Sequence, residues 1–515
     1  MDPAQLAGGV VLAVLVTAWA GWAWCVAREA AQAARVAPRG LLALGLVVLL
    51  VALALRLAAP AVPHDINPRS DDVFHSWRGL DWRYAHGLIA LMRVLWAVGL
   101  PVSDLTVFDV VAVFGALTVP LVGLLTWRLG GGWLAASVAT VVMGGMGLHV
   151  RFSHTDAPQI VEAALVLVAA LFVIAPGERS ARATWAAGLS LGLAGAMRPE
   201  AIVLPALVLG WAWLSQPGLS WRAWLPVGLI AAAVALPDLV SILAFGRALS
   251  DPSLGLVEGH GLLEHGLAHL VPWSTPFVPA ALAASLWLAP SGRPAVRATL
   301  ATALLMVAVG SLVPNARWSI GSIESWCLAR HQLRVLPWMA LLVGVGVEAL
   351  VDRVAHRIPA LTVPAGLMAL GAVAASVATT LPDAYAEFTP ALEYQFVRTH
   401  LPEVPDGCTI VTLPLEGDMS LVLPDGLKAS VGTPHRWTWL DDAPDDGSCV
   451  VYYRSTACTA VSYKMLDVDR CAPFEAAHAL TPIAVGGLAD RGWLFERYGG
   501  APVRVGFYRV GSGAP

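Results

Sequence analysis

Ten runs of apolar residues constrain what this chain can become: 6–27, 40–59, 106–127, 133–149, 157–175, 224–245, 275–289, 298–313, 335–351 and 358–381. Each is long enough, or nearly so, to cross a hydrocarbon layer of about 30 Å as a helix. Two shorter runs, 185–197 and 201–215, flank Arg198, Pro199 and Glu200, and read as two short helices meeting at one face or as a single hairpin. Counted as two, they make a polytopic α-helical membrane protein of about twelve spans. Composition agrees, with 57% of residues hydrophobic and 13% charged, against roughly a quarter charged in soluble domains. A net charge of −4 leaves no basic surplus to neutralise a phosphate backbone, which argues against nucleic acid as a partner.

Charge in the short loops sets the orientation, because Arg and Lys near span ends prefer the cytoplasm. One set of loops carries Arg28, Arg35, Arg39, Arg128, Arg179, Arg182, Arg222, Arg293, Arg297, Arg353 and Arg357 against only Glu29, Glu178 and Asp352. The alternate loops are acid-rich and face outward, as do both chain ends. The first apolar run is too long for a signal-peptide core and no cation precedes it, so it reads as a retained helix. Three segments follow: an extra N-terminal helix with its cytoplasmic loop (1–39), a membrane domain (40–381) and an outward-facing α/β domain (382–515). The last holds both Lys and four Cys, Cys408, Cys449, Cys458 and Cys471. Four clustered Cys without a CxxC pair, in an exported domain, imply two disulfides; three pairings are open, with zinc as the rival.

The first outward loop carries Asp71 and Asp72 beside His64, Asp65 and His75. Adjacent carboxylates repel, so one of them is suited to act as a base unless a cation or metal compensates. A solvated acidic loop is the plainer explanation. The stretch 80–100 mixes apolar residues with Arg83, His86 and Arg93 and fits a helix lying in the interface. A very short outward loop then holds Arg151, His154 and Asp156 before Pro158, where Asp156 could be no more than a helix cap. Later, Arg330, His331 and Arg334 open the run 335–351. Two Arg one turn apart beside a His make a phosphate clamp or a pair of interfacial anchors.

In this order the motifs resemble the GT-C glycosyltransferase superfamily, polytopic enzymes that include protein O-mannosyltransferases and lipid A aminoarabinose transferases. Asp71-Asp72-Val73-Phe74-His75 resembles the first-loop acidic motif of that family, Arg151 to Pro158 its second, and His331 to Pro337 its late Arg-Tyr-Leu-Leu-Pro segment, with Val335 in place of Tyr. The resemblance spans 40 to about 381. It implies inverting sugar transfer from a polyprenyl-phosphate donor to a lipid, glycan or protein acceptor on the outer side of the membrane, and the short loops with Arg-only cations and no Asn-x-Ser/Thr sequon suit a bacterial inner membrane. Asp72, Asp71 and Asp156 would then be catalytic. Arg151, His154, Arg198, Glu200, Arg330, His331 and Arg334 would bind substrate. A divalent metal is compatible with the acidic loop, but no cofactor is specified.

A transporter or lipid flippase is the rival reading, supported by Asp238 inside the run 224–245. A non-catalytic scaffold would leave Asp71, Asp72 and Arg334 without a role. His265 and His269 have the spacing of metal ligands on one helix face, with an interfacial helix tip as the plainer explanation.

Overall fold

The computed structural model describes residues 3–61, 86–101, 103–174, 180–216, 220–245, 277–288, 294–311, 330–358, 362–385, 389–413, 435–444, 448–461, 464–465, 468–488 and 502–511. The chain forms two compact units. One comprises Met1–Ala59, Ser76–Leu100 and Asp109–Tyr385; the other comprises Pro60–His75, Pro101–Phe108 and Ala386–Pro515.

The helices run in the order α1 (Pro3–Val36), α2 (Arg39–Leu57), α3 (Gly87–Ala97), α4 (Asp104–Arg128), α5 (Trp133–Gly145), α6 (Gly147–Ser153), α7 (Pro158–Val173) and α8 (Ala181–Gly195). They continue with α9 (Leu204–Ser215), α10 (Leu225–Phe245), α11 (Phe277–Leu288), α12 (Pro294–Ser311), α13 (Leu336–Arg357) and α14 (Thr362–Tyr385). Among the described residues six stretches, within α1, α2, α4, α10, α13 and α14, are long and apolar enough to cross a bilayer, as expected of a multi-pass membrane protein. In such a medium each backbone group must be satisfied inside its own segment, which is why these runs are helical.

Three parts of the helical unit differ from a plain reading of the runs. The run 133–149 is not one straight helix, because Met146 is extended (φ −64°, ψ 107°) and α5 and α6 meet at 54°. The pair 185–197 and 201–215 resolves into α8 and α9, joined by a 3₁₀ turn over Pro199–Val203. The stretch 80–100, expected to lie in the interface, contains α3, and residues 80–85 lie outside the described part.

Helix α7 is buried on almost every side, including Gln159 and Glu162, so its apolar faces pack on protein. Helix α1 is tied into the unit by Trp19 Nε1 donating to Gly87 O at 2.9 Å and Trp22 Nε1 donating to Ser190 Oγ at 2.8 Å. Gly87 is required where it stands: its N–H donates to Ala196 O at 2.7 Å, and an added Cβ would lie 2.6 Å from that oxygen. Helix α5 has no side-chain cap of its own. Glu348 of α13 supplies one, accepting from Gly132 N at 2.8 Å and Ala135 N at 3.3 Å.

The second unit holds α15 (Thr389–His400), strands β1 (Thr409–Thr412), β2 (Arg436–Trp439), β3 (Val450–Arg454), β4 (Ala460–Val461) and β5 (Lys464–Met465), helix α16 (Ala472–Ala477), and strands β6 (Leu480–Leu488) and β7 (Val503–Val510). Five strands make one mixed sheet in the order β2-β1-β3-β7-β6. β1 runs parallel to both β2 and β3, while β7 is antiparallel to β3 and β6. The two disulfides are Cys408–Cys449 and Cys458–Cys471, which selects one of the three possible pairings. With all four sulfurs oxidised the zinc reading fails, since zinc needs thiolates. The first bridge joins the residues just before the paired strands β1 and β3. The second ties the end of the turn after β3 to the cap residue of α16.

Candidate functional site

Asp71 and Asp72 lie outside the described residues, as do His265 and His269. The remaining candidates fall into two neighbourhoods of the helical unit.

The first is assembled from three elements far apart in sequence. Arg198 precedes Pro199, whose ring disfavours the helical region for its neighbour, so Arg198 is extended (φ −148°, ψ 149°) and α8 ends. The 3₁₀ turn that follows presents Glu200. A second 3₁₀ turn, over Arg330–Val335, presents His331 and Arg334 before Pro337 starts α13. Helix α7 contributes Glu162. Arg334 Nε lies 3.1 Å from Glu162 Oε1, and Arg334 Nη2 donates to Glu200 Oε1 at 3.3 Å. The same Glu200 oxygen takes Arg198 Nε at 3.3 Å and has His331 Nδ1 at 3.8 Å. Two guanidiniums thus face two carboxylates, with a His beside them, and Glu162 and Arg334 are all but inaccessible. In so dry a setting, removing one member leaves its partner uncompensated, which costs about 3–5 kcal/mol.

Sequence reasoning brought Arg198, Glu200, His331 and Arg334 to the site but missed Glu162. A carboxylate inside an apolar run requires a partner, and that rule, applied to Asp238, was equally available for Glu162. The geometry also narrows Arg334. Its Nε is ion-paired with Glu162 by distance without hydrogen-bond geometry and its Nη2 donates to Glu200, so the guanidinium already faces two carboxylates and is not the free bidentate fork expected for a phosphate. The side chain of Arg330 lies outside the described residues.

The second neighbourhood surrounds the break between α5 and α6. Arg151 is buried and donates from Nη1 to Ala384 O at 3.0 Å. His154 Nδ1 donates to Ala59 O at 2.6 Å, which fixes that nitrogen as protonated and points Nε2 at Asp109 Oδ1, 3.3 Å away. Asp109, whose side chain is 60% exposed, is a further carboxylate inside an apolar run that sequence reasoning missed. Asp156 is buried at the start of α7 but is not its cap; Ala157 holds that position, and Thr155 Oγ1 accepts from Ala157 N at 3.1 Å.

Asp238, the acid that suggested transport, is committed to structure. Its Oδ1 takes His86 Nδ1 at 2.6 Å and its Oδ2 takes His86 N at 2.9 Å, holding the start of α3. Among the described residues one trio has ligand atoms close enough for a metal, Cys458, Asp469 and Cys471, and its sulfurs form a disulfide.

No protein-family model and no curated protein matches the sequence. Solved structures do resemble the chain. ArnT from Cupriavidus metallidurans bound to undecaprenyl phosphate superposes with a TM-score of 0.55 at 13% identity, over 92% of this chain and 98% of that one. The same protein in its apo state gives 0.52 at 13% identity, over 91% and 96%. The chain therefore shares the fold of these structures over most of its length.

Proposed function

We propose that the chain is an inverting glycosyltransferase that moves a sugar from a polyprenyl-phosphate donor to an acceptor on the outer side of a bacterial inner membrane. One observation carries this reading most: Glu162, Arg198, Glu200, His331 and Arg334, up to 172 residues apart (334 − 162), converge into one buried polar cluster inside an apolar helical unit. Burying so many ionisable groups is costly and marks function more often than architecture. The fold likeness supports the donor class, because the ArnT neighbour is bound to undecaprenyl phosphate.

In the proposed reaction Asp72, or its neighbour Asp71, accepts the proton of the acceptor hydroxyl. That oxygen forms a bond to the anomeric carbon on the face opposite the phosphate. The sugar–phosphate C–O bond breaks, its electron pair leaves with the polyprenyl phosphate, and the configuration inverts. Arg330 and the remaining Nη1 of Arg334 stabilise the charge developing on the phosphate, where a preorganised donor is worth a few kcal/mol. Arg198 and Glu200 keep Arg334 in place. His154, held by Ala59 O, and Arg151 and Asp156 beside it are proposed to shape the acceptor side.

The test is transfer of radiolabelled sugar from defined undecaprenyl-phosphate donors by the protein in lipid nanodiscs. Asp72→Asn retains size and hydrogen bonding but not basicity, so turnover is expected to fall on the order of a hundredfold or more while the protein still inserts. Near-normal transfer by both Asp72→Asn and Asp71→Asn removes the base assignment. Solute flux in a parent that transfers nothing replaces the enzyme with the transporter.

A further inference from the structure

One turn before Glu162 on the same face of α7 stands Gln159, completely enclosed. Among the described residues neither its Nε2 nor its Oε1 has a hydrogen-bond partner, and the same holds for Oε2 of Glu162 and Nη1 of Arg334. These four atoms belong to neighbouring residues where α7 meets the Arg330–Val335 turn. Buried polar groups are nearly always paired in native proteins, and each unpaired one carries a desolvation penalty. Such a concentration along one helix face is therefore not explained by folding.

The types of atom say what would satisfy them. A phosphate oxygen offers only acceptors, and Gln159 Oε1 and Glu162 Oε2 would repel it. A sugar hydroxyl both donates and accepts, and a primary amide presents one acceptor and two donors side by side. Glu162 Oε2, one turn further along, has the acceptor character to take a second hydroxyl. Arg334, lying beyond Glu162, is left to face the charged end of the same molecule.

We infer that Gln159, with Glu162 Oε2 beside it, reads the hydroxyls of the transferred sugar and sets which sugar is accepted. This rests on the proposed transferase reading and adds a specificity determinant to it. Gln159 is a binding residue and takes no proton in the reaction.

The experiment compares the parent with Gln159→Met, of nearly the same shape and without polar atoms, and with Gln159→Glu. The substrates are undecaprenyl-phosphate-linked glucose, mannose and arabinose and their single-deoxy analogues. Thermal unfolding without donor is measured first. A side chain that lacks partners loses nothing on becoming apolar, so Gln159→Met unfolds at the parent's temperature or above it. Donor KM then rises about tenfold or more with kcat changed far less, the pattern of lost binding, and discrimination against the matching deoxy sugar collapses. Gln159→Glu keeps one acceptor and loses the donors, and falls between the two. Unfolding several degrees lower in Gln159→Met would mean that the amide is paired for structural reasons, and overturns the inference. Unchanged KM and unchanged discrimination overturn it alone, leaving the transferase intact. A parent that binds and transfers none of these donors overturns both together.

Discussion

Glu393 of α15 is almost wholly buried, and its carboxylate is held by three donors: Tyr453 Oη at 2.9 Å, Thr456 N at 3.0 Å and Thr456 Oγ1 at 2.5 Å. Burial pushes its pKa above the usual carboxylate value, and the hydrogen bonds from Thr456 and Tyr453 offset part of that rise. Because the folded value exceeds the unfolded one, the folded chain holds the proton through that interval. The stability from Glu393 is therefore complete below the ordinary carboxylate pKa and declines as pH rises through the raised one. Glu393→Gln keeps an acceptor for Tyr453 and Thr456 but cannot ionise. Hydrogen exchange of the β3 amides in the full chain should lose protection in the parent relative to Glu393→Gln as pH rises above the ordinary carboxylate range, each corrected for intrinsic rates at the pH used. An identical pH course in the two proteins would show that Glu393 does not ionise in this range. Close by, Arg454 of β3 bonds both Asp469 and Glu475, and its pKa is raised by those two partners against the opposing effect of burial.

Helix α6 carries Arg151 and Ser153 and leads into His154 and Asp156, so the break at Met146 decides where these side chains stand. Arg56 of α2 holds that break. Its Nη1 donates to Ala52 O at 3.0 Å and Gly144 O at 3.4 Å, and its Nη2 to Met143 O at 3.3 Å and His149 Nδ1 at 3.0 Å. The freed carbonyls at the end of α5 thus meet a buried cation, and no described carboxylate pairs with it. His149 must accept at Nδ1, which leaves its Nε2–H directed at Thr118 Oγ1, 3.4 Å away. Arg56→Leu removes four acceptors' partner and Arg56→Lys restores charge without the fork, at about 1.5–3 kcal/mol for each charged bond lost. Exchange at residues 147–153 should accelerate on the order of tenfold to a hundredfold in Arg56→Leu, with Arg56→Lys intermediate. Unaltered exchange there would mean that α6 is positioned by packing alone.

Arg56 and Glu162 also show why the sequence was legible in some places and opaque in others. Hydropathy located nearly every helix, because its signal is local and repeated over twenty residues. It could not locate the break at Met146, since no Pro or charge marks it and Gly145 and Gly147 are only weak signs. Arg198, Glu200, His331 and Arg334 were visible because they interrupt apolar runs at span ends. Glu162, Gln159 and Arg56 lie inside such runs, where each polar residue is diluted by its neighbours. That they share a core with distant partners is a property of tertiary packing, which no local pattern encodes.

At the scale of the molecule the two units are stabilised by different means. The helical unit relies on close helix contacts such as Gly87 against Ala196 and on buried ion pairs that would be costly to open. The second unit adds two covalent links to a five-stranded mixed sheet. The sequence separations are 41 for Cys408–Cys449 and 13 for Cys458–Cys471. In the chain-entropy view the longer loop gains more, by about 1 kcal/mol, over a base of about 3 kcal/mol for the shorter. Replacing Cys408 and Cys449 together by Ala should therefore cost slightly more protection in β1 and β3 than replacing Cys458 and Cys471, read by exchange in the full chain. The same bridges test the proposed orientation, because thiols on the cytoplasmic side stay reduced. Protein taken from intact membranes into iodoacetamide without reductant should show no modification at any of the four. Quantitative alkylation of all four in folded protein would place this unit on the cytoplasmic face, and with it would go the proposal that sugar transfer occurs outside.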